Sequence, residues 1–262
     1  MKTDKPLLSS PSNKRLTEIA ASKPQTTLVV GSEAGNEENT AIYLAHQIIG
    51  NELVQVETAP AIEGVRAIQT QARSSSQEAQ AVVIVNVDSM SLEAQNALLK
   101  LLEEPTENVF YVLAAKSATS VLGTIQSRST VLTLSAPSLA DATTHYKEHA
   151  DEQVAAAMMA SGGNVPFMEA YLQGENEYMA VAKEIIKQDA YSRVATASQY
   201  MSDREKSREL VLSMQNIFRF LATKPNTRTM ALKGARNCSQ TIEQLDANGN
   251  TKLLLGKLLT SF

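Results

Sequence analysis

Ser91–Pro105 reads SLEAQNALLKLLEEP, and a little further on Thr124–Thr130 reads TIQSRST. The first stretch has the marks of a capped amphipathic helix. Ser91 can accept the first free N–H groups, Leu98, Leu101 and Leu102 fall on one face, and Pro105 stops the helix. The second stretch puts Arg128 in a tight polar turn between buried segments. Around these two, apolar runs too short for helices alternate with helical patterns. Thr26–Val30, Ala81–Val85, Phe110–Ala114 and Thr130–Leu134 read as buried strands, and Leu53–Val56 as a shorter one. Residues 12–22, Glu37–Gly50, Pro60–Arg73 and Ser91–Glu104 read as helices, the first capped by Ser12 or Asn13, and Ser74–Ser76 opens a polar loop. Unbroken β-branched runs are typical of strands buried on both faces, so the alternation predicts an α/β fold: a mostly parallel sheet flanked by helices.

After Pro137 no strand pattern survives. A turn, SGGNVP at 161–166, sits inside a small helical stretch, and the remainder reads as a helical bundle broken near Pro225 and Gly249. The expected organisation is an α/β domain over 1–136, a helical lid over 137–176 and a helical bundle over 177–262.

Charge divides the chain in the same way. Residues 1–176 hold 11 Lys/Arg against 20 Asp/Glu, a balance of −9. Residues 177–262 hold 13 against 8, a balance of +5. An acidic front is poorly suited to gripping a phosphate backbone, and the contrast suggests different neighbours for the two parts. Arg219–Arg236 carries five cations and no carboxylate. That stretch could meet DNA or an acidic partner, although solvated helix faces are the commoner explanation. Cys238 is the single cysteine, which excludes an internal disulfide and a cysteine-built zinc site. His46 stands alone on a helix and reads as structural. No signal-peptide core or membrane-length apolar run is present, so the expectation is a soluble, cytoplasmic protein with no membrane partner.

AQNALLKLLEEP (Ala94–Pro105) and TIQSRS (Thr124–Ser129) resemble the clamp-loader branch of the AAA+ ATPases, and within it the delta-prime subunits of the bacterial DNA polymerase III clamp loader. The resemblance covers Thr26–Leu134 well, and the bundle only by length and helical character. It implies a P-loop-type sheet domain, a lid and a collar that holds subunits together. In that family the arginine of the Ser-Arg pair reaches the triphosphate on a neighbouring subunit, and Ser127 with Arg128 match the pair. Ser129 stands where the family usually has cysteine. The family's zinc module has no counterpart, so neither metal nor cofactor is expected.

The chain departs from the family wherever ATP would be handled. A phosphate loop needs backbone N–H groups facing phosphate, a lysine and a magnesium-binding hydroxyl. In the turn GSEAGNEENT, beginning at Gly31, the second glycine position is Asn36, the lysine position Glu37 and the hydroxyl position Glu38. Two carboxylates would repel a triphosphate, and they also suit a helix N-terminus. The metal-holding acidic pair of the third strand falls on Val85 and Asn86. Asp88 lies outside that pair and reads as a cap for the following turn or helix. The polar sensor of the fourth strand falls at Ala115–Lys116, and the lid arginine is replaced near Phe167 and Met168.

The resemblance therefore implies a non-hydrolysing subunit that lends Arg128 to a neighbour. Its partners would be the clamp-loader ATPase subunits and the clamp-opening subunit in a hetero-oligomer, with the sliding clamp and primer-template DNA as further contacts. Gln95, Asn96 and Lys100 are interface candidates on the helix that carries them. A scaffold outside replication, and a working nucleoside triphosphatase with a divergent loop, stand as alternatives.

Overall fold

A computed structural model describes residues 4–31, 35–50, 53–74, 79–173, 177–222 and 225–262. The chain divides into two compact units, the first comprising 1–145 with 164–166 and the second 146–163 with 167–262.

In the first unit the chain runs α1 (Ser10–Ser22), β1 (Thr26–Val30), α2 (Glu37–Ile49), β2 (Val54–Thr58), α3 (Ile62–Ser74), β3 (Gln80–Val85), α4 (Leu92–Glu103), β4 (Val109–Ala115), α5 (Gly123–Ser127), β5 (Thr130–Thr133) and α6 (Leu139–His145). The described strands make a five-stranded sheet in the order β2-β3-β4-β1-β5. Every pairing is parallel, for example Leu28 opposite Leu113 and Val83 opposite Val112. The fold expected from the apolar runs is present.

Successive strand side chains point to opposite faces, and each face has its own core. Leu28, Val82, Ile84, Tyr111 and Leu113 pack with Val65 and Ile68 of α3, Leu98 and Leu101 of α4, and Ile125 of α5. Val29, Val83, Val85, Val112 and Ala114 pack with Leu16 and Ile19 of α1 and with Ala41, Leu44 and Ile48 of α2. This double burial is why the central strands are apolar at consecutive positions. Edge strand β2 has no fully buried residue, and its Val56 is exposed.

Helix ends follow local chemistry, with one correction. Ser9, not Ser12 or Asn13, caps α1, because Pro11 is comfortable in the first turn and lets the helix begin earlier. The Ser9 hydroxyl also bonds that of Ser135, fastening α1 to the end of the sheet. Gly50 closes α2 in a left-handed conformation, φ 69°, which glycine adopts without strain. Ser91 caps α4 by accepting from Ala94 N at 3.2 Å, as its position predicts.

After residue 137 every described element is helical: α7 (Asp151–Ser161), α8 (Val165–Leu172), α9 (Glu177–Lys187), α10 (Ala190–Ala197), α11 (Arg204–Ala222), α12 (Arg228–Asp246) and α13 (Thr251–Leu259). The breaks fall at Pro225–Thr227 and at 247–250, as Pro225 and Gly249 led one to expect. The second unit has its own core, built from Ala182, Ile185, Leu210, Met214, Phe218, Ala231, Cys238, Leu245 and Leu258. Among the described residues no helix is long and apolar enough to cross a membrane.

Cys238 lies fully inside that core, where burial pushes its thiol up to about 12. The reactive species is the thiolate, so native protein is expected to react with a disulfide-exchange reagent roughly 10³-fold more slowly than urea-unfolded protein at pH 8. Prompt release of one equivalent from native protein would contradict this burial.

Candidate functional site

The C-terminal ends of β3, β4 and β1 are neighbours, and the loops leaving them bring together Asn86, Lys116 and Gly31. In open parallel sheets this edge is where ligands bind. Gly31 is buried, and its N–H donates to Ala115 O at 2.7 Å. Residues 32–34 of the expected phosphate loop lie outside the described residues.

Glu37, at the first position of α2, turns inward and is 8% exposed. Its Oε2 rests so close to Gly31 that a Cβ built there would lie 2.4 Å from it. Among the described residues that oxygen has no hydrogen-bond partner. Burial pushes the Glu37 carboxyl above its ordinary value; its own backbone N–H and the Lys116 ammonium pull it down, while Asp88 and Glu38 add to the rise. A buried carboxylate thus occupies the space beside the strand-end Gly31. Of the two carboxylates at the start of α2, only Glu37 turns inward, and Glu38 is exposed. One helical residue of separation turns a side chain by about 100°, which carries Glu38 away from the direction that Glu37 takes.

Asn36 is 2% exposed and spends its side-chain amide on Leu7 O. That bond ties down the segment before α1. Val85 is buried in the sheet core and Asn86 follows it with a left-handed backbone, φ 55°. Neither can supply a carboxylate to a metal. Asp88 caps neither following element: Ser91 caps α4, and Asp88 Oδ1 is buried without a partner among the described residues. Lys116 is exposed just past β4, and its charge acts on Glu37. Phe167 and Met168 are both buried. Among the described residues no three of His, Cys, Asp and Glu gather as a metal site would require.

The sign of the Glu37 effect can be measured. Its folded value is raised, so between the ordinary carboxylate value and the folded one the native state holds a proton that the unfolded chain has lost. Stability from this group therefore falls as pH rises through that window and levels off above it. Glu37→Gln is expected to raise the unfolding midpoint at pH 7 and to leave it nearly unchanged at pH 4. A loss of stability at pH 7 would show that the charged carboxylate is stabilising there.

The second part of the site is the edge formed by α4, α5 and the loop before α5. Gln95 is 5% exposed. Its Oε1 accepts from Leu122 N at 2.9 Å, and its Nε2 donates to Ser120 O at 3.1 Å and Met90 O at 3.3 Å. The structure therefore turns this interface candidate inward, where it pins the loop that launches α5. Asn96 and Lys100 do face solvent. With Arg66 and Gln69 of α3 they line a cleft of about 380 Å³ between the two helices.

Gln126 Nε2 donates to Ala118 O and Val121 O, both at 2.9 Å, securing α5 against the same loop. The Ser127 hydroxyl donates to Thr124 O, and that of Ser129 to Ile125 O, so each satisfies a carbonyl at the end of a helix too short to do so itself. Arg128 follows α5 directly and is exposed. Its Nη1 donates to Thr124 O at 3.2 Å, and its Nη2 meets Glu103 Oε1 of α4 at 2.8 Å. Glu103 belongs to the LLEEP end of the first motif. Sequence reading passed over it, because nothing in a linear pattern brings residue 103 beside residue 128.

Comparison with known proteins bears on this same region. Residues 51–138, which contain both motifs, match the family described as DNA polymerase III, delta subunit. A Haemophilus influenzae DNA polymerase III subunit delta' is 45% identical over 56 residues, covering 21% of this chain. The match spans 17% of that relative's length. Among solved structures, a DNA polymerase III gamma subunit-related protein from Thermotoga maritima superposes with a TM-score of 0.58 at 16% identity, covering 93% of this chain and 97% of that one. A RuvB variant from Thermotoga maritima gives 0.54 at 13% identity, over 81% of this chain and 78% of that one. At such identities the structural likenesses establish the fold alone.

Proposed function

We propose that this chain, which belongs to the clamp-loader family of DNA polymerase III subunits, is a delta-prime-like member that does not hydrolyse ATP and completes the active site of a neighbouring subunit. The observation that carries the reading is Arg128, exposed at the end of α5, and it is supported by the buried Glu37 carboxylate lying against Gly31. A guanidinium remains charged at any working pH and can meet phosphate oxygens through two donors at once. Supplied from outside, it stabilises the charge that develops during phosphoryl transfer. Glu37 does the opposite for a nucleotide bound to this chain. A buried carboxylate beside Gly31 would repel the phosphates, and no aligned carboxylate at Val85 or Asn86 is available to hold a metal.

In this reading residues 1–136 act as the sheet domain, 137–176 as the lid and 177–262 as the collar. The partners are the clamp-loader ATPase subunits and the clamp-opening subunit of the same cytoplasm, in a hetero-oligomer that meets the sliding clamp and primer-template DNA. Asn96, Lys100 and the exposed cations Arg219, Arg228, Lys233 and Arg236 are available to such neighbours.

Reconstitution tests the assignment. The chain is mixed with the ATPase and clamp-opening subunits of its own organism, and the mixture is resolved by size and assayed for clamp- and DNA-stimulated ATP hydrolysis. A defined complex, with no nucleotide retained by the isolated chain, is expected. Absence of a complex would leave a scaffold outside replication, and tight ATP binding by the isolated chain would remove the non-hydrolysing role.

A further inference from the structure

Resting on the reading of Arg128 as a residue that acts in trans, we propose that Glu103 is a positioning residue for it. The two motifs that single out this chain meet at one contact, the 2.8 Å pair between Arg128 Nη2 and Glu103 Oε1. An arginine at the end of a five-residue helix would otherwise sample many rotamers, and each bond made to a neighbour's phosphate would have to overcome that freedom. Here the guanidinium is held from two sides. Thr124 O takes one Nη1 hydrogen from below, within α5, and the Glu103 carboxylate takes one Nη2 hydrogen from the end of α4.

A guanidinium has five N–H donors. Two are spent on these contacts, which leaves three for phosphate. The side chains of Arg128 and Glu103 are 39% and 47% exposed, so the edge carrying the free donors stays accessible. The two anchors stand on well-fixed supports. The last turn of α4 is packed through Leu101 and Leu102, and α5 is packed through Ile125. Gln95 and Gln126 bind the intervening loop to both. Glu103 is thus the charged end of a rigid frame that begins in the sheet core. Because the pair is exposed it adds little to the stability of the fold, and its consequence lies in the direction of Arg128 rather than in folding.

The experiment uses the full chain in its reconstituted complex, with steady-state ATP hydrolysis measured for wild type, Glu103→Ala, Glu103→Gln, Arg128→Ala and the double variant Glu103→Ala/Arg128→Ala. Glu103→Ala is expected to lower kcat roughly two- to fivefold with KM and assembly unchanged, since only the ordering of an exposed charged pair is lost. Glu103→Gln keeps an acceptor oxygen and is expected to retain most of the rate. In the Arg128→Ala background, Glu103→Ala is expected to have no further effect, a non-additivity that a general structural role would not produce. Additive losses, a wild-type rate in Glu103→Ala, or a faster one, would overturn the proposal while leaving Arg128 in its role. An Arg128→Ala complex with an undiminished rate would overturn both.

Discussion

Arg128→Ala is expected to reduce the ATPase rate of the reconstituted complex by about 10³-fold at the site it serves, a typical effect of an arginine supplied in trans. The loss should fall on kcat, because the guanidinium matters most when charge builds on the transferring phosphoryl group. Assembly should be unchanged, since the side chain is exposed and makes one ion pair and one bond to a backbone carbonyl. Arg128→Lys is expected to recover little. An ammonium cannot reach phosphate while also engaging Glu103 and Thr124 O in a planar fork. Single-turnover hydrolysis with the complex in excess over ATP separates chemistry from product release. Hydrolysis at the wild-type rate would remove Arg128 from the active site. A fall confined to complex formation would make it an interface residue instead.

The second large effect is expected in the helical unit. Phe218 of α11 is fully buried and packs face-on against Gly234 of α12, where an added Cβ would lie 2.7 Å from the ring. The same ring meets Phe262 edge-on, with centroids 4.9 Å apart, and the Arg193 guanidinium lies over Phe262 at 4.2 Å. Arg193 also donates to the carbonyls of Leu259 and Phe262. Phe218→Ala should therefore cost about 3–5 kcal/mol through lost burial and the cavity left behind. For a unit of this size that corresponds to a fall of about 10–20 °C in its unfolding midpoint. Cys238, one helical turn beyond Gly234 on α12, offers a local readout, and its thiol should become reactive in parallel. Gly234→Val attacks the same contact from the other side. It should be destabilising too, by about 1–3 kcal/mol, because the ring is confined and cannot withdraw as a flexible chain would. Little change in the midpoint for Phe218→Ala would mean that α11 and α12 are held together elsewhere.

Much of the first unit was legible because double burial leaves a plain trace. Ala81–Val85 and Phe110–Ala114 are apolar at consecutive positions only because both faces of the sheet are covered, and a short β-branched run has few other uses. Element ends were less legible. The cap of α1 moved to Ser9 because Pro11 favours an early start, and β2 extends to Thr58 although its edge position weakens the pattern. Local spacing correctly found the cap at Ser91. It erred on Asp88, since nothing in the spacing says which way a side chain turns after a left-handed Asn86.

The sequence by itself determined which residue types stand at the candidate positions: Glu37 just after the first strand and its turn, Val85 and Asn86 at the end of the third strand, and Arg128 in a polar turn. Those follow from residue type alone. Only the tertiary structure decided orientation. Glu37 turns in and Glu38 out because adjacent helical positions diverge; Gln95 turns in because Leu122 N and Ser120 O require partners; and Arg128 finds Glu103 because α4 and α5 pack side by side on one face of the sheet. Each depends on which elements the topology makes neighbours, and that proximity is created only when the strands assemble.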